Sequence, residues 1–287
     1  MKQYYKIADH AICIACDNSE VMDAIPGFSD FRYSYSAECV LCVQLCECAP
    51  EPIIGERFHY VETHIALCLL YHTDKGSGLE IKQDNRLRLS LQYDVNDRSC
   101  AIKGSLTPEL LRYALWLAFN LSVIHLKTIA IHASSIVYHN NAFLYLGGSG
   151  TGKSTHTRLL CQYLTDVELL NDDSPILRVI HGRCFVYGSP WSGKTQCYKQ
   201  KRAVLAGVVR LCQAPKNLME QLSLHKAVGA LLPSFPPELY LNTKLQYYVI
   251  DIMSNMLDTV QVSLFKCLPD KEAAEISIDL IHRYRIG

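Results

Sequence analysis

Residues 147 to 154 read Gly147-Gly148-Ser149-Gly150-Thr151-Gly152-Lys153-Ser154, a glycine, four residues and then Gly-Lys-Ser. This stretch constrains the fold more than any other in the chain. It follows the apolar run Phe143-Leu144-Tyr145-Leu146 and precedes a helical pattern from Thr155 to Leu164, so it predicts a buried strand, a tight loop and a helix that starts at once. Glycines let the backbone curl with its N–H groups inward, and the helix N-terminus behind them adds a positive partial charge. Strand, loop and helix in that order form the P-loop pattern for nucleotide phosphates. Gly147 through Thr155 are the expected nucleotide-binding residues, with Lys153 reaching the β and γ phosphates and the Ser154 hydroxyl offered to Mg²⁺. The alternative is a glycine-rich turn with no ligand, and the flanking strand and helix argue against it.

The chain has 287 residues, about twice the usual ~150-residue domain, so two domains are expected. Residues 1–125 form a β-rich N-terminal domain with a linking helix. Its short β-type runs include Ala11 to Ala15, Val40 to Leu45, Ile65 to Tyr71 and Leu87 to Tyr93. The helix opens at Thr107-Pro108-Glu109, an N-cap, a first-turn proline and an acidic residue, and continues through Leu111, Ala114, Leu115, Ala118 and Leu121. Residues 126–287 alternate strands and helices, which predicts an α/β domain. Thr128 to Ile131 and Ser135 to Tyr138 read as strands, His139-Asn140-Asn141-Ala142 as a turn, and Val167 to Leu170 as a further strand. Helices are expected near Glu238 to Leu257 and over Lys271 to Arg283.

Composition excludes several classes of function. Twenty-eight Lys and Arg balance 28 Asp and Glu, so no overall field draws the chain to nucleic acid or to an anionic membrane. The longest apolar runs fall far short of the ~20 residues of a spanning helix. Ala11 to Cys16 is too short for a signal segment, and a cytoplasmic protein is expected. Thirteen cysteines spread over the chain suit reduced thiols better than a disulfide framework. Cys13, Cys16, Cys39 and Cys42 make two Cys-x-x-Cys pairs, with Cys46 and Cys48 behind. Zinc would need four such ligands on tight turns, whereas these lie in β-type runs and read as packed strand residues.

Downstream of the glycine loop, the strand from Val167 is expected to end at Asn171-Asp172-Asp173. Two carboxylates at the C-terminal edge of a strand suit a metal and a proton acceptor facing bound phosphates. The bland alternative is an Asx turn leading into Ser174-Pro175.

Three segments, His132-Ala133-Ser134, Leu146 to Ser154 and Asn171-Asp172-Asp173, together resemble the catalytic domain of HPr serine kinase/phosphorylase, whose fold is shared with phosphoenolpyruvate carboxykinase. The resemblance covers roughly residues 126 to 287. It implies a carboxykinase-like P-loop α/β domain behind the mostly β N-terminal one. It also implies that Lys153 and the loop amides bind the phosphates of ATP, that Ser154 and Asp172 sit near Mg²⁺, that Asp173 is the catalytic base and that His132 lies beside them. Gly188-Ser189-Pro190-Trp191-Ser192-Gly193-Lys194 resembles a segment of relatives that are not HPr kinases. It reads as a second anion loop, with Trp191 as a flat apolar surface and Lys194 as a catalytic cation, or else as a surface hairpin. The chain departs from true HPr kinases where their proline-glycine-arginine-asparagine signature would stand: it reads Leu211-Cys212-Gln213-Ala214-Pro215-Lys216-Asn217. HPr itself is therefore not the expected acceptor.

The resulting expectation is an ATP- and Mg²⁺-dependent kinase that moves a γ-phosphoryl group to a hydroxyl, first of all a serine of a protein or peptide. A small-molecule kinase for an amino acid or sugar and a non-catalytic nucleotide-sensing module remain alternatives. Neither nucleic acid nor a membrane is expected as a partner, and a homo-oligomer is compatible with the sequence.

Overall fold

The computed structural model describes residues 1–18, 20–34, 38–63, 65–193 and 195–284. The chain divides into two compact units, one of Met1–Leu126 with Pro237–Gln246, the other of Lys127–Pro236 with Tyr247–Gly287. In the first, β1 (Lys2–Ile7), β2 (His10–Ala15), β3 (Leu41–Cys46), β4 (Glu56–Glu62), β5 (Leu67–His72), β6 (Gly76–Gln83), β7 (Arg86–Asp94) and β8 (Ser99–Gly104) form one sheet. Their order is β1-β2-β3-β8-β7-β6-β5-β4. β3 runs parallel to both β2 and β8, while the other neighbours are antiparallel. The short α1 (Glu20–Asp23) lies between β2 and β3 in the chain, and α2 (Pro108–Val123) packs against β3, β6 and β7. Leu111, Ala114, Leu115 and Ala118 of α2 are buried, as helical spacing requires of one face. Thr107 holds the N-cap position before Pro108, but its side chain makes no capping hydrogen bond.

The cysteine pattern divides by strand alternation. Leu41, Val43 and Leu45 of β3 face inward, which turns Cys42 out to solvent. Cys13 pairs with Cys42 across the β2–β3 register and is buried, as is Cys16. Packed thiols therefore describe Cys13 and Cys16, whereas Cys42 and Cys48 are exposed. Among the described residues no group of three or more His, Cys, Asp or Glu is placed to hold a metal ion.

The second unit begins with β9 (Thr128–Ala130), β10 (Ala133–Tyr138), β11 (Asn141–Leu146), α3 (Lys153–Tyr163) and β12 (Val167–Asp173). It continues through β13 (Ile176–Ile180), β14 (Arg183–Tyr187), β15 (Arg202–Gln213), β16 (Leu218–Gln221) and α4 (Leu224–Leu231). After α5 (Pro237–Tyr240), which belongs to the first unit, come α6 (Gln246–Thr259), β17 (Val262–Cys267) and α7 (Lys271–Arg283). The sheet order is β12-β10-β11-β15-β14-β13-β9, with β17 paired to β15 and β16. β11 and β17 both run parallel to β15, so the unit is mixed α/β. No helix among the described residues is long and apolar enough to cross a membrane.

Two sequence expectations change here. The helix expected from Glu238 to Leu257 is two helices, because the Asn242 side chain accepts the Lys244 N–H at 3.0 Å and the chain turns there. Glu238, 4% exposed, accepts a 2.8 Å hydrogen bond from the Tyr113 hydroxyl of α2. Burial pushes its carboxyl above the usual range. That contact seats α5 with the first unit, whereas the sequence pattern places it with residues 126–287.

Helix α3 is docked on the sheet by Leu160 and His156, packed among Tyr145, Phe265, Ala273 and Ala274 of neighbouring elements. His156 shares a 2.9 Å hydrogen bond between Nε2 and the Ser277 hydroxyl of α7. Burial pulls its pKa down to about 4, so the folded protein holds it neutral. An unfolded chain binds that proton near pH 6.5, and between pH 6.5 and about 4 the unfolded state carries more protons. Stability from this group is complete above pH 6.5 and is lost as pH falls toward 4. Urea titrations across this range are expected to show that loss, and His156→Gln to flatten it. An identical pH slope in the folded variant would show that His156 does not carry the effect.

Candidate active site

Three chain segments meet at one edge of the second sheet because β10 is antiparallel to both of its neighbours. Ala133 pairs with Leu146 at the end of β11 and with Asp173 at the end of β12. The start of β10 therefore lies level with the finish of the other two strands. The β10–β11 hairpin that sets this register turns at His139 (φ 44°) and Asn140 (φ 65°), the two left-handed residues that a tight two-residue turn requires. β12 runs through Asp173 rather than stopping at Leu170, so Asp172 and Asp173 are the last residues of a paired strand. Ser134 stands opposite Asp172, and its hydroxyl shares a 2.9 Å hydrogen bond with Thr157 of α3.

Between β11 and α3 the glycine loop adopts the left-handed backbone its sequence anticipates. Gly150 has φ +79° and Gly152, the N-cap of α3, has φ +96°. A Cβ at either would meet nothing within 4 Å, so at these two positions conformation rather than crowding demands glycine. Gly147 is constrained in both ways, since its φ is +156° and a Cβ would run into Thr151 Oγ1. Thr151 closes the loop by donating from its hydroxyl to the Gly148 carbonyl at 2.9 Å. Gln213 of β15, which the sequence reading did not single out for this role, donates to the Gly150 carbonyl at 3.1 Å.

Lys153, His132 and Asp173 form one continuous contact chain. The Lys153 ammonium lies 2.8 Å from the Gly147 carbonyl, 3.2 Å from that of Gly148 and 3.0 Å from His132 Nε2. His132 Nδ1 is 3.3 Å from Asp173 Oδ1. An ammonium only donates, so Nε2 accepts and Nδ1–H faces the carboxylate, which defines the tautomer. Burial lowers the Lys153 pKa from its ordinary value, opposed by Asp173 and Asp172, while Arg210 adds to the lowering. Asp172 is 4% exposed, and its carboxylate makes no hydrogen bond or ion pair among the described residues. His132 and Asp173 are each 44% exposed at the side chain, and Ser154 is exposed at the first turn of α3.

The segment from Gly188 packs against the end of β12 instead of projecting as a surface hairpin. Gly193 N–H donates to the Asp172 carbonyl at 2.7 Å, and Ser192 bridges Asp173. Trp191 is 3% exposed, so its ring is core packing and offers no flat surface to a ligand. Lys194 lies outside the described residues.

No protein-family model matches the chain, and no curated protein matches it. Among solved structures, the Hpr(Ser) kinase/phosphatase from Coxiella burnetii aligns at 11% identity and a TM-score of 0.34, covering 55% of this chain and 90% of that one. That likeness is too slight to assign a family.

Gly147→Ala is expected to lose about 1–3 kcal/mol of stability, the cost of forcing a side chain into a left-handed and occupied position. Urea unfolding measures it. A variant as stable as the parent would mean the loop tolerates a Cβ that its geometry forbids.

Proposed function

We propose that the protein is an ATP-dependent phosphotransferase that moves the γ-phosphoryl group to a hydroxyl, with a serine of a protein or peptide as the first acceptor. The observation that carries this reading is the chain from Lys153 through His132 to Asp173, built beside a glycine loop at the start of a helix. A nucleotide-binding loop needs the lysine and the amides. A carboxylate held through an imidazole is the part that proton transfer needs.

The residues fit a divalent cation with phosphates better than a metal caged by protein alone. Asp172 is a buried carboxylate without a hydrogen-bond or ion-pair partner among the described residues, and such a charge is costly unless compensated. Mg²⁺ characteristically binds through one or two carboxylates with the remaining positions filled by phosphates and water. Asp172 and the Ser154 hydroxyl are the groups that would hold it. When bound, Mg²⁺ would neutralise charge on the phosphate oxygens.

The other roles follow from the chain's own groups. Lys153 exchanges its two loop-carbonyl contacts for phosphate oxygens, a charge-assisted bond replacing neutral ones. The amides of Gly148 to Gly152 and the α3 N-terminus hold the remaining phosphate charge. His132 orients Asp173 through Nδ1–H, and Asp173, half exposed, takes the proton of an incoming hydroxyl. An acceptor that enters beside Asp173 would therefore lie on the exposed side of the β12 end.

Two adjacent carboxylates with different jobs fail differently. Asp172→Asn is expected to raise the Mg²⁺ needed for transfer, with rate returning at high metal because the phosphates still hold part of the ion's shell. Asp173→Asn is expected to bind Mg-ATP nearly as the parent does while transfer falls by roughly 10²-fold, the scale for losing a general base. Transfer from γ-labelled ATP to serine peptides, free serine and sugars, read beside nucleotide affinity, distinguishes them. Wild-type transfer by Asp173→Asn would remove the kinase mechanism and favour a nucleotide-sensing module.

A further inference from the structure

Asn171 makes more polar contacts than any role yet assigned to its neighbours explains. It is fully buried on β12, one residue before Asp172. Its side-chain amide nitrogen lies 3.1 Å from the Trp191 carbonyl, 3.2 Å from the Ser189 hydroxyl and 3.3 Å from the Ser189 carbonyl. Its Oδ1 accepts the Ser174 N–H at 2.9 Å. Its own carbonyl accepts from the Ser135 hydroxyl at 3.1 Å, where the β10–β12 register shifts. The Oδ1 and Nδ2 assignment is decided by chemistry, because a backbone N–H stands at one end of the amide and carbonyls at the other.

Ser189 extends the same network. Its hydroxyl has a single proton, and its shortest contact is the Ser174 carbonyl at 2.6 Å. With the proton there, its lone pairs receive the Asn171 amide and the Trp191 N–H, the latter at 3.2 Å. The amide thus ties the chain just beyond Asp173 to the loop from Gly188, and the two aspartates lie between those ties. The loop closes over them through Gly193 N–H on the Asp172 carbonyl, at a glycine where a Cβ would come within 2.8 Å of that oxygen.

We propose that Asn171 is a positioning residue: it locks the end of β12 to the 188–193 loop and so sets the directions of Asp172 and Asp173. The proposal rests on the phosphotransfer reading for its kinetic consequence, but the positioning itself does not depend on it. A hydrophobic residue of the same size would fill the space but remove the acceptor of the Ser174 N–H and the amide donor to the loop carbonyls, a costly loss in a buried site. An aspartate would keep the acceptor for Ser174 N–H and turn the other end from donor to acceptor, against two carbonyls.

The test compares Asn171→Asp with Ser189→Ala, which cuts the network from the loop side and keeps the test available should the buried charge prevent folding. Three quantities are measured: Mg-ATP affinity, transfer rate, and the hydrogen-bonded Nδ1–H proton resonance of His132, which reports its contact with Asp173 without any turnover. For a folded variant the expected result is affinity within about threefold of the parent, transfer lower by roughly 10- to 100-fold, and a His132 resonance that moves or is lost to exchange. An unchanged His132 resonance in both folded variants would overturn the positioning role, whatever the rates. Should the parent itself transfer no phosphate, the functional reading falls while the resonance still decides the role of Asn171.

Discussion

β10 is hydrogen-bonded on both sides, and that double antiparallel pairing is the constraint on which the site depends. It brings the end of β11, the start of β10 and the end of β12 to one level of the sheet. A shift of one residue would turn every side chain on the moved strand to the opposite face: between β10 and β12 it would part Asp173 from His132, and between β10 and β11 it would displace the glycine loop and Lys153. The hairpin turn at His139 and Asn140 and the six buried β10 residues hold that register.

Local polar closure then converts a strand edge into a charged site. Lys153 and Asp172 are both largely removed from water, and burial of unpaired charge is unfavourable by several kcal/mol in proteins. Lys153 meets the cost with two loop carbonyls and an imidazole. Among the described residues the Asp172 carboxylate has no hydrogen-bond or ion-pair partner, and its charge acts on Lys153 and Cys197. The proposed ligand, phosphate oxygens together with a cation, would relieve this asymmetry, and Asn171, Ser189 and Gly193 fix the surrounding backbone by hydrogen bonds.

The local elements around the loop were legible because each rests on short-range chemistry. An apolar run, three special glycines and a helical pattern specify strand, loop and helix between Asn141 and Tyr163. His132, Lys153 and Asp173 also stand together, as the resemblance of their segments to the HPr serine kinase/phosphorylase domain implies. What escaped the sequence depends on long-range contacts. β15 joins three other strands and supplies Gln213 to the loop, yet its apolar run resembles several others. Trp191 reads as a ligand platform from the resemblance of its segment and its flat apolar ring, but the ring is buried and the polar groups around it bond one another. Asn171 reads as a turn residue beside two aspartates, and only the return of the chain at Ser189 and Trp191 shows it as a hub. The break between α5 and α6 hides for a similar reason, since Asn242 competes with the helix through a contact that helical periodicity does not register.

The central claim is that the Gly147–Ser154 loop and its lysine form a phosphate site, and calorimetric titration of Mg-ATP into the parent protein and into Lys153→Ala tests it most directly. The account predicts saturable binding by the parent and an affinity lower by about tenfold or more in a variant whose melting curve remains cooperative, because a charge-assisted contact to the phosphates has been removed. Equal affinity in the two folded proteins, or no binding by the parent, would contradict it.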